Sequence, residues 1–349
     1  MSPKILLFGS GAIGTIYVYL LDRAGYDVTA VCRSNYDVAK KEGFLIDSER
    51  YGNGIKFQPK VVRTPSEAAE AEGSFDYVIV CSKAIPDAET SRIIEPAVTK
   101  GKTTIALIQN GVGIEEEYAQ RFPENPLLSC VVYLPSTQIK PGHMQMGTFE
   151  FLEIGTFPSS AYKDEPYVKE VTDTFVKIMQ KASNKATFYE DVQEKRWQKL
   201  IVNASWNPIC ALTLSRDVAF LASSEAAEGL VEATMLEIVS IAQKFGYASV
   251  APETASMQLK RARDRIGGKG IEPSMLVDVL NGRRMEVESI LGNAMRIGQS
   301  LDVAVPRLEL LYALLKALDE STMLRQPGQS LGGDESRTER SRTDGKAAL

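Results

Sequence analysis

Histidine is the scarcest chemically useful residue in this sequence, with one copy among 349 residues. That copy, His143, lies in the stretch KPGHMQMG, where a turn followed by a short alternating run predicts a loop or an edge strand. No carboxylate stands close to it in the sequence to orient its ring. The chain therefore matches neither a Ser-His-Asp hydrolase nor an enzyme whose hydride transfer is assisted by a histidine.

Cysteine is also sparse, and its distribution disfavours a disulfide framework or a metal centre. The chain has four cysteines that are widely separated, with no C-x-x-C pair and no metal-ligand spacing: Cys32, Cys81, Cys130 and Cys210. We expect reduced thiols and no metal ligands.

Long apolar runs and blocks of one charge are missing as well. The longest apolar runs, such as YVIVC, are far shorter than the ~20 residues of a membrane-spanning helix. The formal net charge is -5 with both signs interspersed, so we expect neither a membrane nor a nucleic acid as partner. A strand-like run follows MSP directly, which leaves no room for a targeting segment and predicts a cytoplasmic protein.

Residues 1–190 alternate short apolar strands with helical stretches, the pattern of a parallel sheet covered by helices. Helices are predicted over residues 12–24 and 87–99. The short alternating runs HMQMG, FEFLEIG and ATFYED predict an antiparallel edge added to the same sheet. The predicted strands of the parallel sheet are KILLFG, DVTAVC, DYVIVC, TTIALIQ and LLSCVVYL.

Residues 191–324 instead show helical patterns without convincing strands. The tail, residues 325–349, is polar and glycine-rich, and we expect it to be disordered. The predicted fold class is α/β, with a Rossmann-type doubly wound parallel sheet domain over residues 1–190 and an all-helical C-terminal domain over residues 191–324. The predicted helical stretches of this second domain are 191–214, 223–246, 252–264, 273–300 and 306–318.

A glycine triplet with G-x-G-x-x-G spacing, Gly9, Gly11 and Gly14, follows the first predicted strand and opens a helix. In such a motif the glycines allow a tight turn, close approach of the backbone to pyrophosphate, and tight packing of helix on strand. The helix N-terminus then receives the phosphates. We predict dinucleotide binding by this stretch, against the alternative of a plain glycine-rich turn; its residues are Gly9, Ser10, Gly11, Ala12, Ile13 and Gly14.

Arg33 and Ser34 end the second predicted strand, where an acidic residue would bind the ribose 2′-hydroxyl of NAD. A carboxylate would repel a 2′-phosphate, whereas the planar fork of an arginine pairs with one. The sequence therefore favours NADP (NADPH) as cofactor. The alternative is an ordinary surface arginine.

Two more polar residues, Lys83 in CSKAIP and Asn110 in LIQNGVG, follow strands that end on the same carboxyl edge of the sheet. Ligands of such folds collect at this edge, so both are candidates for cofactor binding. The alternatives are a solvated turn lysine and an asparagine that stabilises an Asn-Gly turn.

Lys199, Asn203 and Asn207 recur every four residues in a segment with helical periodicity, residues 195–217. Each four-residue step advances a side chain by only ~40° around a helix, so the three form one polar stripe. Together the three side chains offer hydrogen-bond donors, acceptors and one movable proton, as a reactive site requires. The alternative is a solvated helix face.

Taken together, these motifs resemble the ketopantoate reductases, also called 2-dehydropantoate 2-reductases, over residues 3–320. The resemblance rests on GSGAIG, the arginine after the second strand, SKA and QNGVG in the first domain. In the second it rests on WQKLIVNASWNP, similar to the family's K-L-x-x-N-x-x-x-N-P, and on PSMLVD followed by EVE. It implies NADPH-dependent reduction of a small 2-oxo acid to a 2-hydroxy acid in the pantothenate and coenzyme A pathway.

The resemblance also implies roles for individual residues. Lys199 is the general acid and, with Glu286, forms the catalytic set, while Asn203 and Asn207 hold the substrate. Ser274 and Glu286 contact the substrate's carboxylate and hydroxyl ends, and Asn110 lies between cofactor and substrate. Two positions depart from the family pattern, which often has Asn where Asp217 stands and Gln where Pro86 stands.

Two other functions remain open at this stage. One is a reductase of the same fold that acts on another branched 2-oxo acid. The other is a non-catalytic NADP-binding sensor that signals through domain closure, although dinucleotide binding alone would not need Lys199, Asn203, Ser274 and Glu286. The sequence leaves open whether the protein is a monomer or a homodimer.

Overall fold

The computed structural model describes residues 2–183 and 185–324, and the predicted disordered tail, residues 325–349, lies outside this part. The chain divides into two compact units, Met1–Arg196 and Trp197–Leu349. The boundary falls inside one helix, Val192–Thr213, which starts in the first unit and continues into the second.

The first unit contains an eight-stranded sheet and a four-stranded sheet. Along the chain its strands are β1 Lys4–Phe8, β2 Asp27–Val31, β3 Phe44–Ser48, β4 Gly52–Phe57, β5 Lys60–Val62, β6 Tyr77–Val80, β7 Thr104–Ile108, β8 Leu127–Tyr133, β9 Ser136–Lys140, β10 His143–Met146, β11 Phe151–Thr156 and β12 Ala186–Phe188. The large sheet has the order β12-β11-β8-β7-β6-β1-β2-β5, and β4-β3-β10-β9 form a second sheet. All five predicted strands of the parallel sheet are confirmed.

Helices cover both faces of the large sheet. They are α1 Ala12–Arg23, α2 Tyr36–Glu42, α3 Pro65–Glu72, α4 Thr90–Ile94, α5 Glu116–Arg121, α6 Ala161–Asp164 and α7 Pro166–Ser183. Alternate residues of β1 enter different apolar clusters, Ile5 and Leu7 on one face and Leu6 and Phe8 on the other. Burial on both faces explains why the central strands are continuous apolar runs, and it confirms the doubly wound α/β class.

The predicted antiparallel edge is correct for two strands and wrong for one. β11 pairs antiparallel with β8, and β12 pairs parallel with β11, so both run opposite to the parallel strands at one edge of the large sheet. β10 instead pairs parallel with β3 in the second sheet. Alternation of side chains shows only that one face is buried, so it does not reveal which sheet a short strand joins.

The helix predicted over residues 87–99 is also wrong. The segment contains α4 between two 3-10 turns, Pro86–Ala88 and Glu95–Ala97. Pro96 lacks an N–H and interrupts the helical hydrogen bonds, and Glu89 takes a left-handed conformation with φ 44°.

Every regular element in the described part of the second unit is helical. After α8, Val192–Thr213, come α9 Asp217–Leu221, α10 Ala227–Phe245, α11 Pro252–Arg263, α12 Ser274–Leu280, α13 Asn293–Ser300 and α14 Pro306–Leu324. The stretch predicted as one helix over residues 273–300 is interrupted after α12, where Gly282 has φ 61°, and it resumes as a π-helical turn, Glu288–Gly292. No helix within the described ranges has the length and apolar character that membrane crossing requires.

Candidate active site

The glycine-rich turn between β1 and α1 brings backbone segments into close contact. Gly9 has φ 98°, and a Cβ there would lie 2.7 Å from Ser82 Cα, closer than real side chains come. A Cβ on Gly14 would collide with the carbonyl of Gly9. At Gly11, by contrast, a Cβ would meet no atom within 4 Å, so this peptide borders open space. The close backbone contacts therefore require glycine at Gly9 and Gly14, while Gly11 leaves room beside the turn.

Three side chains hold the turn in place, two of them through the carbonyl of Ser10. Asn35, which is buried, donates from Nδ2 to this carbonyl at 2.8 Å, and Thr15 Oγ1 donates to it at 3.2 Å. Ser136 Oγ donates to the neighbouring Ala12 carbonyl at 3.0 Å. Sequence reasoning missed Asn35 and Ser136, because neither lies within the motif.

Arg33 lies just past the end of β2 and is exposed, together with Ser34. A second arginine, Arg63, stacks over the ring of Tyr36, three residues after Arg33 in the sequence, with 4.1 Å from its Cζ to the ring centre. Arg63 also forms an ion pair with Asp37 in the first turn of α2, at 2.6 Å. The pairing partly neutralises the one carboxylate of the first turn of α2.

Lys83 and Asn110 follow β6 and β7, which are parallel neighbours, so both emerge at the carboxyl edge of the sheet. Gln109 joins the two loops by donating from Nε2 to the Ser82 carbonyl at 2.8 Å. Within the described residues, Ser82 Oγ and Gln109 Oε1 are buried without a hydrogen-bond partner. Unsatisfied buried polar atoms are costly, so this edge suits a ligand that carries hydrogen-bonding groups.

In the second unit, α8 carries the stripe of Lys199, Asn203 and Asn207. The first two are half-buried and Asn207 is buried. Asn207 Oδ1 accepts hydrogen bonds from Ser274 Oγ and from the Met275 amide, both at 3.0 Å. The amide oxygen therefore caps the start of α12, and the structure brings together two of the predicted substrate residues.

Glu286 and Glu288 have different surroundings within the second unit. Glu288 opens the π-helical turn and bonds to three groups: Arg296 at 2.8 Å, Tyr312 at 2.8 Å and Lys316 at 3.2 Å. These partners hold the pKa of Glu288 below its ordinary value, against the opposing effect of burial, which is the largest single influence. Glu286 precedes the turn and is buried, with 7% of its surface exposed.

Asp217 is a buried carboxylate that organises the segment before α12. Its Oδ1 accepts from the Ile271 amide at 2.7 Å, and its Oδ2 pairs with Arg265 at 2.6 Å. Ile271 lies three residues before Ser274, so Asp217 helps to fix the approach of the chain to that serine.

His143 has a carboxylate partner that its sequence neighbourhood does not show. Parallel pairing of β10 with β3 places its Nε2 at 2.7 Å from Asp47 Oδ2. The Gly54 amide and the His143 ring lower the pKa of Asp47. The pair lies in the second sheet, and its carboxylate stands 96 positions away in the sequence, beyond the reach of a local pattern.

The four cysteines are free thiols. Burial raises the pKa of Cys81, Cys130 and Cys210, so these thiols are protonated at neutral pH and weakly reactive. Within residues 2–183 and 185–324, no group of three or more His, Cys, Asp or Glu side chains is arranged to hold a metal ion.

Both halves of the chain match one protein family. The family described as ketopantoate reductase PanE/ApbA matches residues 5–159, and its C-terminal domain matches residues 191–319. The chain belongs to the ketopantoate reductase family. The family resemblance predicted from the sequence is confirmed, and with it the general class of dinucleotide-binding reductases.

Three similar proteins show how far this likeness extends. An uncharacterised protein of Saccharomyces cerevisiae is 32% identical over 337 residues, covering 89% of this chain and 92% of its own. The crystal structure of a 2-dehydropantoate 2-reductase from Methylococcus capsulatus is 33% identical with a TM-score of 0.76, covering 95% of this chain and 99% of its own. A D-mandelate dehydrogenase solved with NADH and anilino(oxo)acetate is 20% identical with a TM-score of 0.79, covering 92% and 100%, and shares the fold.

We predict that replacing Asn207 by Ala destabilises the second unit of this family member, because the Ser274 hydroxyl and the buried Met275 amide both lose their acceptor. Loss of a helix cap and of a buried hydrogen bond costs about 1–3 kcal/mol. Urea unfolding followed by tryptophan fluorescence measures the change, since Trp197 and Trp206 lie buried on the same helix. The matched control is Asn203→Ala, a half-buried residue one turn away, and equal losses in the two variants would contradict the capping role.

Proposed function

We propose that the protein reduces 2-dehydropantoate to pantoate with NADPH, as a step of pantothenate and coenzyme A synthesis. The observation that carries the proposal is the family match across both halves of the chain, joined to the stripe of Lys199, Asn203 and Asn207 on α8. The protein of Methylococcus capsulatus with that reductase name supports the same substrate.

The first unit fits a dinucleotide. Gly11 leaves open space at the N-terminus of α1, where pyrophosphate is received by backbone N–H groups, and Ser82 and Gln109 hold buried polar atoms without partners among the described residues. In the proposal the cradle consists of Gly9, Ser10, Gly11, Ala12, Ile13 and Gly14, with Lys83 and Asn110 at the neighbouring strand ends. Arg33 supplies an exposed, permanently charged cation for a 2′-phosphate.

The cofactor supplies the hydride that reduces the 2-oxo carbon. Lys199 gives a proton to the oxygen at which negative charge develops, and stabilisation of that charge is the main contribution expected of the protein. Asn203 and the Nδ2 group of Asn207 orient the substrate through neutral hydrogen bonds. Glu286 completes the catalytic set by accepting from the distal hydroxyl of the substrate.

In the proposal Ser274 donates a hydrogen bond to the substrate carboxylate. Its hydroxyl must then give up the hydrogen bond that it makes in this structure. A serine hydroxyl has one hydrogen, which here points to Asn207 Oδ1. It must rotate away from Asn207 to donate to a carboxylate. Asn207 keeps one partner in that state, the Met275 amide, so the rotation leaves its oxygen satisfied.

A reductase of another branched 2-oxo acid on the same fold is the second candidate. Pro86 favours it, because this residue departs from the family pattern. A panel of 2-oxo acids with purified protein, followed by the loss of NADPH absorbance, decides between the candidates. Turnover of 2-dehydropantoate well above all other acids supports the proposal, and a clear preference for a different acid favours the second candidate.

We predict that Arg33→Ala weakens NADPH binding about 10- to 100-fold and leaves NADH binding nearly unchanged. The reason is the loss of a charge-assisted contact with the 2′-phosphate, worth about 1.5–3 kcal/mol. Titration calorimetry with both cofactors measures the effect, and the exposed Arg92→Ala is the control. Equal affinity of the parent protein for NADH and NADPH would refute the assignment of Arg33.

We predict that Lys199→Ala lowers kcat by about 10²–10⁴-fold while NADPH affinity is retained, since a general acid acts in the chemical step and leaves cofactor binding intact. Steady-state rates and cofactor titration measure the two quantities. Lys195→Ala, one helical turn earlier on α8, is the matched control. Near-normal turnover by Lys199→Ala would mean that the proton comes from another group.

We predict that the parent prefers 2-dehydropantoate over its analogue without the distal hydroxyl, because the analogue leaves buried Glu286 without that donor. The expected difference in kcat/KM corresponds to about 1–3 kcal/mol. Glu286→Ala should lose most of this discrimination. Glu288→Ala is the matched control, since Glu288 is committed to Arg296, Tyr312 and Lys316. If Glu286→Ala discriminates as well as the parent, the hydroxyl is recognised elsewhere.

A further inference from the structure

Arg196 is a buried cation that none of the motifs singles out. It lies on α8 as the last residue of the first unit, with 3% of its surface exposed. Its Nη1 donates to the carbonyls of Gln109 at 2.9 Å and Gly111 at 2.8 Å. Its Nη2 donates to Ser129 Oγ at 2.7 Å and to the Cys130 carbonyl at 3.1 Å. With Nε directed at Glu115 and Ser129, every nitrogen of the guanidinium has partners.

Glu115 is the counter-ion and is itself fully buried. Its Oε1 lies 3.1 Å from Arg196 Nε and accepts from Ser129 Oγ at 2.6 Å and from Gln193 Nε2 at 2.8 Å. Its Oε2 accepts from the Ile114 amide at 3.1 Å. Burial of two charges is costly even when they pair, so a buried pair that contacts backbone carbonyls suggests a task beyond general stability.

The two carbonyls bound by Nη1 belong to the residues on either side of Asn110. This loop leaves β7 and contains two glycines with positive φ, Gly111 at 95° and Gly113 at 64°, so its own backbone conformation is weakly restricted. One planar group that fixes the carbonyl before and the carbonyl after Asn110 thereby fixes the direction in which the Asn110 side chain leaves the backbone.

We infer that Arg196, held by Glu115, is the positioning residue for Asn110 in the reductase reaction. The inference rests on the proposed function, in which Asn110 contacts cofactor and substrate. Arg196 acts through the loop backbone and contacts neither ligand itself. Its loss therefore changes the placement of a reacting partner, and a displacement near 1 Å costs on the order of 100-fold in rate.

Removal of Arg196 alone would strand the Glu115 charge in the interior and risks unfolding the protein. The test therefore uses the double variant Arg196→Met with Glu115→Gln, which removes both charges and keeps similar side-chain volumes. The carbonyls of Gln109 and Gly111 then lose their hydrogen bonds to the guanidinium. Hydrogen exchange of the amides of residues 109–113 in the intact protein reports directly on the loop. We expect faster exchange there and unchanged exchange in β1 and β6; unchanged exchange at residues 109–113 overturns the inference.

A mutant cycle that compares kcat among four proteins then separates positioning of Asn110 from ordinary stabilisation of the fold. The four proteins are the parent, Asn110→Ala, the charge-removed double variant, and the variant with all three changes. We expect the double variant to lose about 10- to 100-fold in kcat, and Asn110→Ala to add little to that loss because the side chain is already misplaced. Losses that multiply, or a folded double variant with parental kcat, overturn the inference. If the parent reduces no 2-oxo acid, the proposed function fails, and the exchange rates still decide whether Arg196 holds the loop.

Discussion

The carboxyl edge of the large sheet depends on one close approach of backbone to backbone, between the turn at Gly9 and the strand end at Ser82. A Cβ on Gly9 would overlap Ser82, and a Cβ on Gly14 would overlap the carbonyl of Gly9. Glycine at both positions lets β1, β6 and α1 converge. Because β1 pairs with β6 and β6 with β7 in parallel, this convergence also determines where the loops carrying Lys83 and Asn110 leave the sheet.

Side-chain hydrogen bonds extend the contact between Gly9 and Ser82 toward α8. Gln109 donates to the Ser82 carbonyl, and Arg196 donates to the Gln109 carbonyl, so three successive contacts connect β1 to the first turns of α8. Each contact ends on a backbone atom. The carboxyl edge is thus held through backbone groups at each of these three contacts.

The parts of this fold that were predicted from the sequence depend on neighbours along the chain. The strand, turn and helix around Gly9, Gly11 and Gly14 are encoded within one short segment, and so is the four-residue stripe on α8. Contacts between segments that are distant in the sequence were not predicted. His143 gained Asp47 through pairing of β10 with β3, and Asn207 gained Ser274 across 67 positions of sequence. Local patterns carry no information about such partners, and Arg196 was missed for the same reason.

One kind of contact recurs in the second unit: a buried side-chain oxygen accepts a hydrogen bond from a backbone N–H of a distant segment. Asn207 does so for Met275, Asp319 for Met285 and Glu237 for Leu308, each at 2.7–3.0 Å. Amides near the start of a helical segment have no partner within the helix, and these side-chain oxygens supply one. The same hydrogen bonds fix the loops between the helices.

Asp217 belongs to the same group, and this bears on the choice between substrates. Its Oδ1 accepts from the amides of Val218 and Ile271, and its Oδ2 is paired with Arg265. An asparagine at this position, as in many family members, would keep the amide acceptor, while the aspartate adds a charge that Arg265 balances. Since both carboxylate oxygens are engaged within the protein, the departure is explained by internal structure and gives no ground for a different substrate. Pro86, exposed at the start of a 3-10 turn three residues after Lys83, is then the departure that still favours another 2-oxo acid.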